Sequence, residues 1–318
     1  MAAVTPSERE ARAELQVNEM VAPGMIVDGQ RNHVDTSTWA GRLSRRTRDT
    51  RRSRPDPLNG LSVAVSSLLV LFLVLPMVGL VLRAANSGRF FDSLGKPIVV
   101  QALRLSLETT VLVMLLSLGM GSPLALLLAR RNFHGKILVD TLIDLPIVLP
   151  PAVAGLALLL TFGRNGLLGA QLEAFGIELP FTTAAVVMAS LFVAAPFYVR
   201  AARSGFLVVP PELEEAARLE GATEWQVFRY VTMPVAAPAL FGGAVLCWAR
   251  ALGEFGATIM FAGSLIGRTQ TMPLAIYSAL ETDLDAAVAL SVLLLAISFV
   301  LLMAARGWLR RATEAGWS

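Results

Sequence analysis

Six long apolar runs alternate with shorter polar segments along the chain. Each run is near or above the roughly 20 residues that a helix needs to cross a hydrocarbon core of about 30 Å. The pattern therefore predicts an all-α membrane protein with six transmembrane helices and both termini on one side of the membrane. The predicted spans are Leu61–Leu82, Leu105–Ala129, Leu138–Phe162, Thr182–Val199, Val235–Ala262 and Ala286–Ala305.

Composition agrees with this fold class and argues against a soluble domain. Hydrophobic residues make up 55% of the chain and charged residues only 16%, a balance typical of membrane proteins. The Arg and Lys residues near the span ends predict the orientation, because they collect on the cytoplasmic side. They are concentrated beside the N-terminus, the C-terminus and the segment at about residues 205–234, so we expect all three to be cytoplasmic.

The first 60 residues differ from the rest of the chain because they mix both charge signs with few large apolar residues. They are predicted to form a disordered cytoplasmic extension. A six-helix domain at residues 61–310 and a cytoplasmic tail at residues 311–318 follow. The Arg cluster at residues 42–54 is interpreted as the positive flank of the first span rather than as a nucleic-acid site. That first run is too long for a cleavable signal peptide, so we expect it to be retained.

A polar segment separates the fourth and fifth spans. Pro211 suits the first turn of a helix, and Gly221 suits the left-handed position that ends one. Thr223 with Gln226 forms a capping-box pattern that begins a second helix. We therefore predict two short helices that meet at a bend. The first turn also carries carboxylates that favour the positive end of a helix dipole: Glu212, Glu214 and Glu215.

This segment resembles the EAA loop of binding-protein-dependent ABC importers, whose pattern is Glu-Ala-Ala, Gly and then Ile-x-Leu-Pro. Here the same spacing joins Glu215-Ala216-Ala217, Gly221 and Val231-x-Met233-Pro234. The resemblance implies that the loop docks in a cleft of a separate ATPase subunit and transmits its closure to the membrane helices. We call residues 210–234 the EAA-like loop. Its expected coupling residues are Glu215, Ala216, Ala217, Gly221, Trp225 and Pro234.

Two motifs within the predicted spans suggest a translocation pathway or gate. Pro150, Pro151 and Gly155 interrupt the third span, and freed backbone groups at membrane depth are tolerated only against protein or a wet cavity. A bend that lines the pathway is favoured, and a kink used only for packing is the alternative.

The fifth span carries the second motif, Arg250 and Glu254, which are four residues apart and predicted to share one helical face. Charges at this depth must be shielded, so we expect the two to pair. Gly253 and Gly256 beside them are expected to let another helix approach. The pair either belongs to a gate or pathway or is a structural ion pair.

The chain offers little for catalysis or metal binding. Cys247 is the single cysteine and is expected to be a small packed side chain, while His33 and His134 are isolated. Two carboxylates, Asp140 and Asp144, lie near Arg130, Arg131 and Lys136 and are interpreted as charge balance rather than as an acid and base. No G-x-x-x-x-G-K-[ST] phosphate loop is present, so ATP and Mg²⁺ are expected to bind a partner, with no catalytic or metal residue and no cofactor in this chain.

The sequence around these motifs resembles the permease subunit of molybdate importers. The similar stretches are Asp144–Gly155, Phe162–Gly169 and Arg250–Gly263, within a resemblance that spans about residues 60–310. It implies the type I ABC importer permease fold in a bacterial inner membrane. A second copy of the chain, an ABC ATPase dimer, an oxyanion-binding protein and membrane lipid are the implied partners, with no nucleic acid.

Other functions fit parts of the sequence. Sulfate/thiosulfate and tungstate permeases share much of this pattern. From other classes, a secondary transporter would use Glu254 as a proton site, and an intramembrane enzyme would use Glu108, Asp140 or Asp144. Neither of the last two explains the EAA-like loop.

Overall fold

The computed structural model describes residues 57–315, and every regular element in that range is helical. Nearly all of the predicted extension at residues 1–60 therefore lies outside the described residues. In chain order the helices are α1 (Pro57–Asn86), α2 (Phe90–Leu94), α3 (Pro97–Arg130), α4 (Lys136–Val148), α5 (Pro151–Phe162), α6 (Gly169–Ala174), α7 (Thr183–Val208), α8 (Pro211–Leu219), α9 (Glu224–Val227), α10 (Met233–Leu252), α11 (Gly256–Phe261), α12 (Met272–Thr282) and α13 (Leu284–Ala315). A π-helical segment, Phe228–Thr232, joins α9 to α10.

The predicted all-α membrane fold is confirmed. Five helical stretches in the described part of the chain are long and apolar enough to cross a membrane: α1, α3, α7, α13 and the stretch from α9 through α10. The pair α4 and α5 passes the same test together and gives the sixth predicted crossing if it counts as one span. The protein is thus an integral membrane protein.

Two of the predicted spans are wrong because they are not continuous helices. The run Leu138–Phe162 is two helices, α4 and α5, that diverge by 116°. The residue before a proline is driven out of the helical region, and here Leu149 and Pro150 both precede one. Both therefore have extended backbone. The run Val235–Ala262 is also interrupted, because α10 ends at Leu252 and the short helix α11 follows.

The core lies where α3, α7 and α10 pack together. Tyr198 of α7 is almost fully buried, and its hydroxyl lies 2.6 Å from Ser122 Oγ of α3. Cys247 of α10 is fully buried, as predicted, with its Sγ 3.3 Å from Ser117 Oγ. Side-chain hydrogen bonds between helices suit an apolar environment, where polar groups have no water to bind.

Helix α4 is attached to α7 by two ion pairs. Asp140 Oδ1 lies 2.8 Å from Arg203 Nη1, and Asp144 Oδ1 lies 2.7 Å from Arg200 Nε. The two aspartates therefore balance charge, but they pair with residues on α7 rather than with the sequence neighbours that we expected. Their four-residue spacing places both on the face of α4 that meets α7.

Helix α12 has no counterpart among the predicted spans. With 11 residues it is too short to cross a membrane. Its buried residues, among them Met272 and Ala275, join Ala286 and Leu290 of α13 in one apolar cluster. It packs as an accessory helix beside the last span.

Candidate functional site

The EAA-like loop folds as its local sequence predicts. Pro211 occupies the first turn of α8, where its missing N–H removes no helical hydrogen bond. Gly221 has φ +87, the left-handed conformation expected after the helix end, and a Cβ built on it would meet nothing within 4 Å. The bend between the two short helices is therefore set by backbone conformation and not by packing.

A capping box begins the second helix of the loop. The backbone N–H of Thr223 donates to Gln226 Oε1 at 2.8 Å, and the N–H of Gln226 donates to Thr223 Oγ1 at 3.4 Å. These reciprocal bonds satisfy two of the donors that a helix N-terminus leaves free. Pro234 lies in the first turn of α10, after the π-helical segment.

Most of the expected coupling residues are accessible. Glu215, Ala216 and Gly221 are exposed, and Ala217 is half-buried. Trp225 is 69% exposed, and its ring lies 5.8 Å from that of Phe228, measured between centroids. The loop thus presents small side chains on α8 and a large aromatic on α9, a surface that a partner can approach closely. The structure brings these residues together, and their role remains a prediction.

Glu214 is the residue of this loop that sequence reasoning missed. We grouped it with Glu212 and Glu215 as a carboxylate at the positive end of the helix dipole, but Glu214 is buried whereas the other two are exposed. Its Oε1 accepts from Arg130 Nη2 at 2.6 Å and from Thr232 Oγ1 at 2.7 Å. Nothing in the sequence indicates that Glu214 is the buried residue. Its apolar neighbour Leu213 is the more obvious candidate for burial, and yet Leu213 is 49% exposed.

Arg218 extends the same set of charges. Its Nη2 lies 3.9 Å from Glu214 Oε2, and its Nε donates to Glu224 Oε1 at 2.7 Å. The hydrogen bond to Glu224, followed by the charges of nearby carboxylates, raises the pKa of Arg218 above its usual value. The guanidinium is therefore a fixed cation between α8 and α9.

The two motifs within the predicted spans meet each other. We call α5 and α11 the crossed helices. A Cβ on Gly155 of α5 would lie 2.6 Å from the carbonyl oxygen of Ala257, and one on Gly256 of α11 would lie 2.7 Å from Pro151 Cβ. Glycine is required at both positions because the two backbones nearly touch. Pro151, Gly155 and Gly256 thus form one contact.

Arg250 and Glu254 form the predicted ion pair, although not on one helical face. Because α10 ends at Leu252, Glu254 lies beyond the helix and reaches back, with its Oε2 2.7 Å from Arg250 Nη1. Its Oε1 accepts from the backbone N–H of Ala257 at 2.8 Å and so caps α11. The Glu254 side chain is 1% exposed and that of Arg250 28%.

Gly253 does not have the role expected of it. The nearest atom to a Cβ built there is a carbonyl oxygen of its own helix, at 3.8 Å. No other helix in the described part of the chain comes within 4 Å of that Cβ. Gly253 instead ends α10, so the close approach predicted for both glycines occurs only at Gly256.

No group of three or more His, Cys, Asp or Glu side chains that could hold a metal ion occurs in the described part of the chain. Two carboxylates, Glu214 and Glu254, are each bound by an arginine and by a further donor. Both carboxylates are thus held in ion pairs.

Comparison with known proteins gives a consistent result. Residues 121–315 match the family described as "Binding-protein-dependent transport system inner membrane component". The chain is 42% identical over 234 residues to the molybdenum transport system permease protein ModB of Mycobacterium tuberculosis, covering 74% of this chain and 88% of that protein. It is 38% identical over 246 residues to the sulfate transport system permease protein CysT of Escherichia coli, covering 76% and 89%.

A solved structure shares the fold. It is a bacterial alginate ABC transporter in complex with an alginate pentasaccharide-bound periplasmic protein, and the matched chain gives a TM-score of 0.66 at 18% identity. The match covers 80% of this chain and 94% of that one.

Proposed function

The chain belongs to the family of binding-protein-dependent transport system inner membrane components, and from this premise we propose that it forms the translocation pathway of an ABC importer for molybdate. It is a permease subunit. ATP and Mg²⁺ bind a separate ATPase subunit, which docks on the EAA-like loop and hydrolyses the ATP. Binding and hydrolysis there drive the alternation of the permease between outward and inward states.

The observation that carries this proposal is the geometry of the EAA-like loop. A span-connecting loop without a partner has no need of two short helices, a capping box on the second, a left-handed glycine at their junction and an exposed tryptophan beside them. The assignment to molybdate is supported by the similarity to molybdenum transport permeases over most of the chain. The similarity to a sulfate permease makes sulfate or thiosulfate the second candidate, with tungstate closely related in chemistry.

The partners follow from the same function. Two copies of this chain form one pathway at their interface, two ATPase subunits bind the two EAA-like loops, and an oxyanion-binding protein delivers the substrate from the opposite side. The alginate transporter, which shares the fold, is bound to a periplasmic protein. The Arg-rich ends of the spans support a bacterial inner-membrane protein with cytoplasmic termini and a cytoplasmic EAA-like loop.

The crossed helices are our candidate for the pathway or gate. One side of α5 is exposed within a single chain, including Val153, Leu156 and Leu160, while Ala154 and Gly155 face the protein. The exposed side is available to a pathway between two copies. Arg250, held by Glu254 and 28% exposed, lies shortly before α11 in the sequence and suits an anionic substrate.

A secondary transporter that uses Glu254 as a proton site is disfavoured. A proton carrier needs a carboxylate that protons can reach, whereas both oxygens of Glu254 are engaged by donors and its side chain is 1% exposed. Such a transporter would also leave the EAA-like loop without a role.

The test is uptake by the whole transporter. This chain is purified with its ATPase partner, reconstituted into proteoliposomes and supplied with the oxyanion-binding protein and labelled molybdate. We expect uptake that requires ATP on the side of the EAA-like loop and that is abolished when the ATPase is omitted. Uptake driven by a proton gradient without ATP would overturn the proposal.

Competition distinguishes the substrates. Excess unlabelled molybdate is expected to abolish uptake of the label, and tungstate to compete strongly because the two tetraoxyanions are alike in charge and geometry. Sulfate is the matched control. If sulfate competes as well as molybdate does, the sulfate assignment replaces the molybdate one while the ABC mechanism stands.

A further inference from the structure

Glu214 is buried and bound by donors from two other elements, and docking of an ATPase on the EAA-like loop does not by itself explain these contacts. It is buried at a junction where three elements meet: α8, the last residue of α3 and the end of the π-helical segment that leads into α10. Burying a carboxylate is costly unless donors compensate for the lost water. Here two donors bind the same oxygen, one from each of the two transmembrane helical stretches.

These contacts link α8 directly to the end of α3 and to the start of α10. Arg130 is the final residue of α3, and Thr232 immediately precedes α10. An open cavity whose lining includes Leu127, Arg131 and Phe228 lies beside Glu214. The ion pair and the hydroxyl contact therefore help to hold α8 in place at this junction.

Arg218 completes the connection on the other side of α8. It approaches Glu214 Oε2 at 3.9 Å and binds both oxygens of Glu224, at 2.7 and 3.2 Å. Glu214 thus lies at the centre of a charged chain from α3 through α8 to α9. Glu212 and Glu215, its neighbours on α8, are exposed.

We propose that Glu214 is the positioning residue that transmits movement of α8 to the ends of α3 and α10. This inference rests on the proposed function, since it assumes that an ATPase moves α8. A bidentate or multi-donor carboxylate contact fixes direction as well as distance. Displacing α8 then displaces both spans together, whereas a loop attached only at its two ends would absorb the movement in its backbone.

The test separates coupling from folding and docking. In the reconstituted transporter we would measure molybdate uptake, ATP hydrolysis and the amount of ATPase subunit retained. For Glu214→Gln, which preserves shape and removes the charge, the ATPase is expected to stay bound. Hydrogen bonds to a charged group are stronger than those to a neutral one, so the amide should hold its donors less firmly than the carboxylate does. We therefore expect the ratio of ATP hydrolysed to molybdate imported to rise roughly tenfold. Glu212→Gln, an exposed residue of the same turn, is the matched control and should keep the wild-type ratio.

Reversal of the charges provides the second arm. Glu214→Arg alone should be uncoupled, and combining it with Arg130→Glu should lower the ratio again, because an arginine and a glutamate face each other once more. The hydroxyl of Thr232 can accept from the new arginine as readily as it donates to glutamate. A purely structural role would instead change the yield or thermal stability of the variants and leave the ratio unchanged.

The outcomes are distinct. If the wild-type transporter shows no ATP-dependent uptake, the proposed function fails. If the wild type transports and Glu214→Gln keeps both its ATPase and the wild-type ratio, the positioning role is wrong and the proposed function is untouched. If the ratio rises in Glu214→Gln and the charge reversal does not lower it, transmission through the Arg130 pair is wrong.

Discussion

The EAA-like loop and the crossed helices both interrupt a helical chain, and different interactions fix their shapes. In the loop, Pro211, Gly221 and the Thr223 capping box act over one to four residues, and a Cβ on Gly221 would meet open space. In the crossed helices, Gly155 and Gly256 touch backbone that is about a hundred residues away in sequence. The loop can therefore tolerate changes that keep its local conformation, and the crossed helices cannot tolerate changes in volume.

The largest expected effect is at the Arg250–Glu254 ion pair, which joins the end of α10 to the start of α11. Arg250→Met leaves Glu254 charged and buried, a loss of about 3–5 kcal/mol in the free energy of unfolding. Glu254→Gln leaves the more exposed Arg250 unpaired and keeps an acceptor for the Ala257 N–H, so it should cost less. Thermal unfolding in detergent measures both.

The double variant Arg250→Met with Glu254→Gln should be more stable than Arg250→Met alone, since no buried charge remains. Equal stability of the single and double variants would contradict compensation. If stability returns in the double variant and ATP-dependent uptake does not, the pair serves the pathway as well as the fold.

The next effect is steric. Gly256→Ala places a Cβ 2.7 Å from Pro151 Cβ and 3.2 Å from the backbone nitrogen of Ala152. Overpacking of this kind typically costs about 1–3 kcal/mol. Gly253→Ala is the matched control, because its Cβ has 3.8 Å of clearance and should leave stability nearly unchanged. Equal losses at the two glycines would show that the crossing does not depend on close contact.

In the EAA-like loop, transport should depend on the backbone conformation at position 221 and not on the volume of the side chain there. Gly221→Val forces a β-branched residue to φ +87, which costs roughly 1–2 kcal/mol locally and distorts the bend. We expect normal membrane insertion and a collapse of uptake. Gly221→Asn, which tolerates the left-handed region, should retain most of the uptake. Wild-type transport by Gly221→Val with its ATPase still bound would exclude the docking assignment.

The smallest effect is at Asp283, where a local and a long-range contact combine. Its Oδ1 caps α13 through the Ala286 N–H, and Lys96 Nζ lies 2.5 Å from its Oδ2. The hydrogen bond from Lys96, then that from Ala286, lowers the pKa of Asp283 below its ordinary 3.8. A lowered pKa contributes stability above the ordinary value, and that stability is lost as the pH falls through the folded value.

Asp283→Asn should therefore cost below about 1 kcal/mol at pH 7, because the side chain is 38% exposed. The difference from the wild type should shrink as the pH falls below the ordinary value. Thermal unfolding at pH 7 and at acid pH measures this. A difference that stays constant with pH would mean that the capping geometry matters and the charge does not.

The same contrast explains what the sequence could predict. Cap and turn chemistry is local, so the two loop helices, the left-handed Gly221 and the capping box were all predictable. Pro150 and Pro151 also predicted a bend in the third span. The 116° angle between α4 and α5 was not predictable, because it depends on how α5 packs against α11. Gly253 and Gly256 look alike in sequence, and only the tertiary contact separates their roles.

Long-range pairings were the least predictable. Asp140 and Asp144 have nearer cations in sequence than Arg203 and Arg200, which bind them. Glu214 looked like one of three equivalent carboxylates in the first turn of α8, and it is the one that is buried. In both cases the environment of the carboxylate depends on a partner on another helix. The spacing of residues within one helix does not show which partner that is.

The most direct test of the account follows the movement from the loop to the crossed helices. In a Cys247→Ala background, Val153→Cys places a thiol on the exposed side of α5, and Ala154→Cys is the buried control. A small hydrophilic thiol reagent is applied to the full transporter with and without ATP. We predict that ATP changes the labelling rate at position 153, and that Gly221→Val abolishes the change while the ATPase remains bound. An identical ATP-dependent change with and without Gly221→Val would contradict transmission through the EAA-like loop.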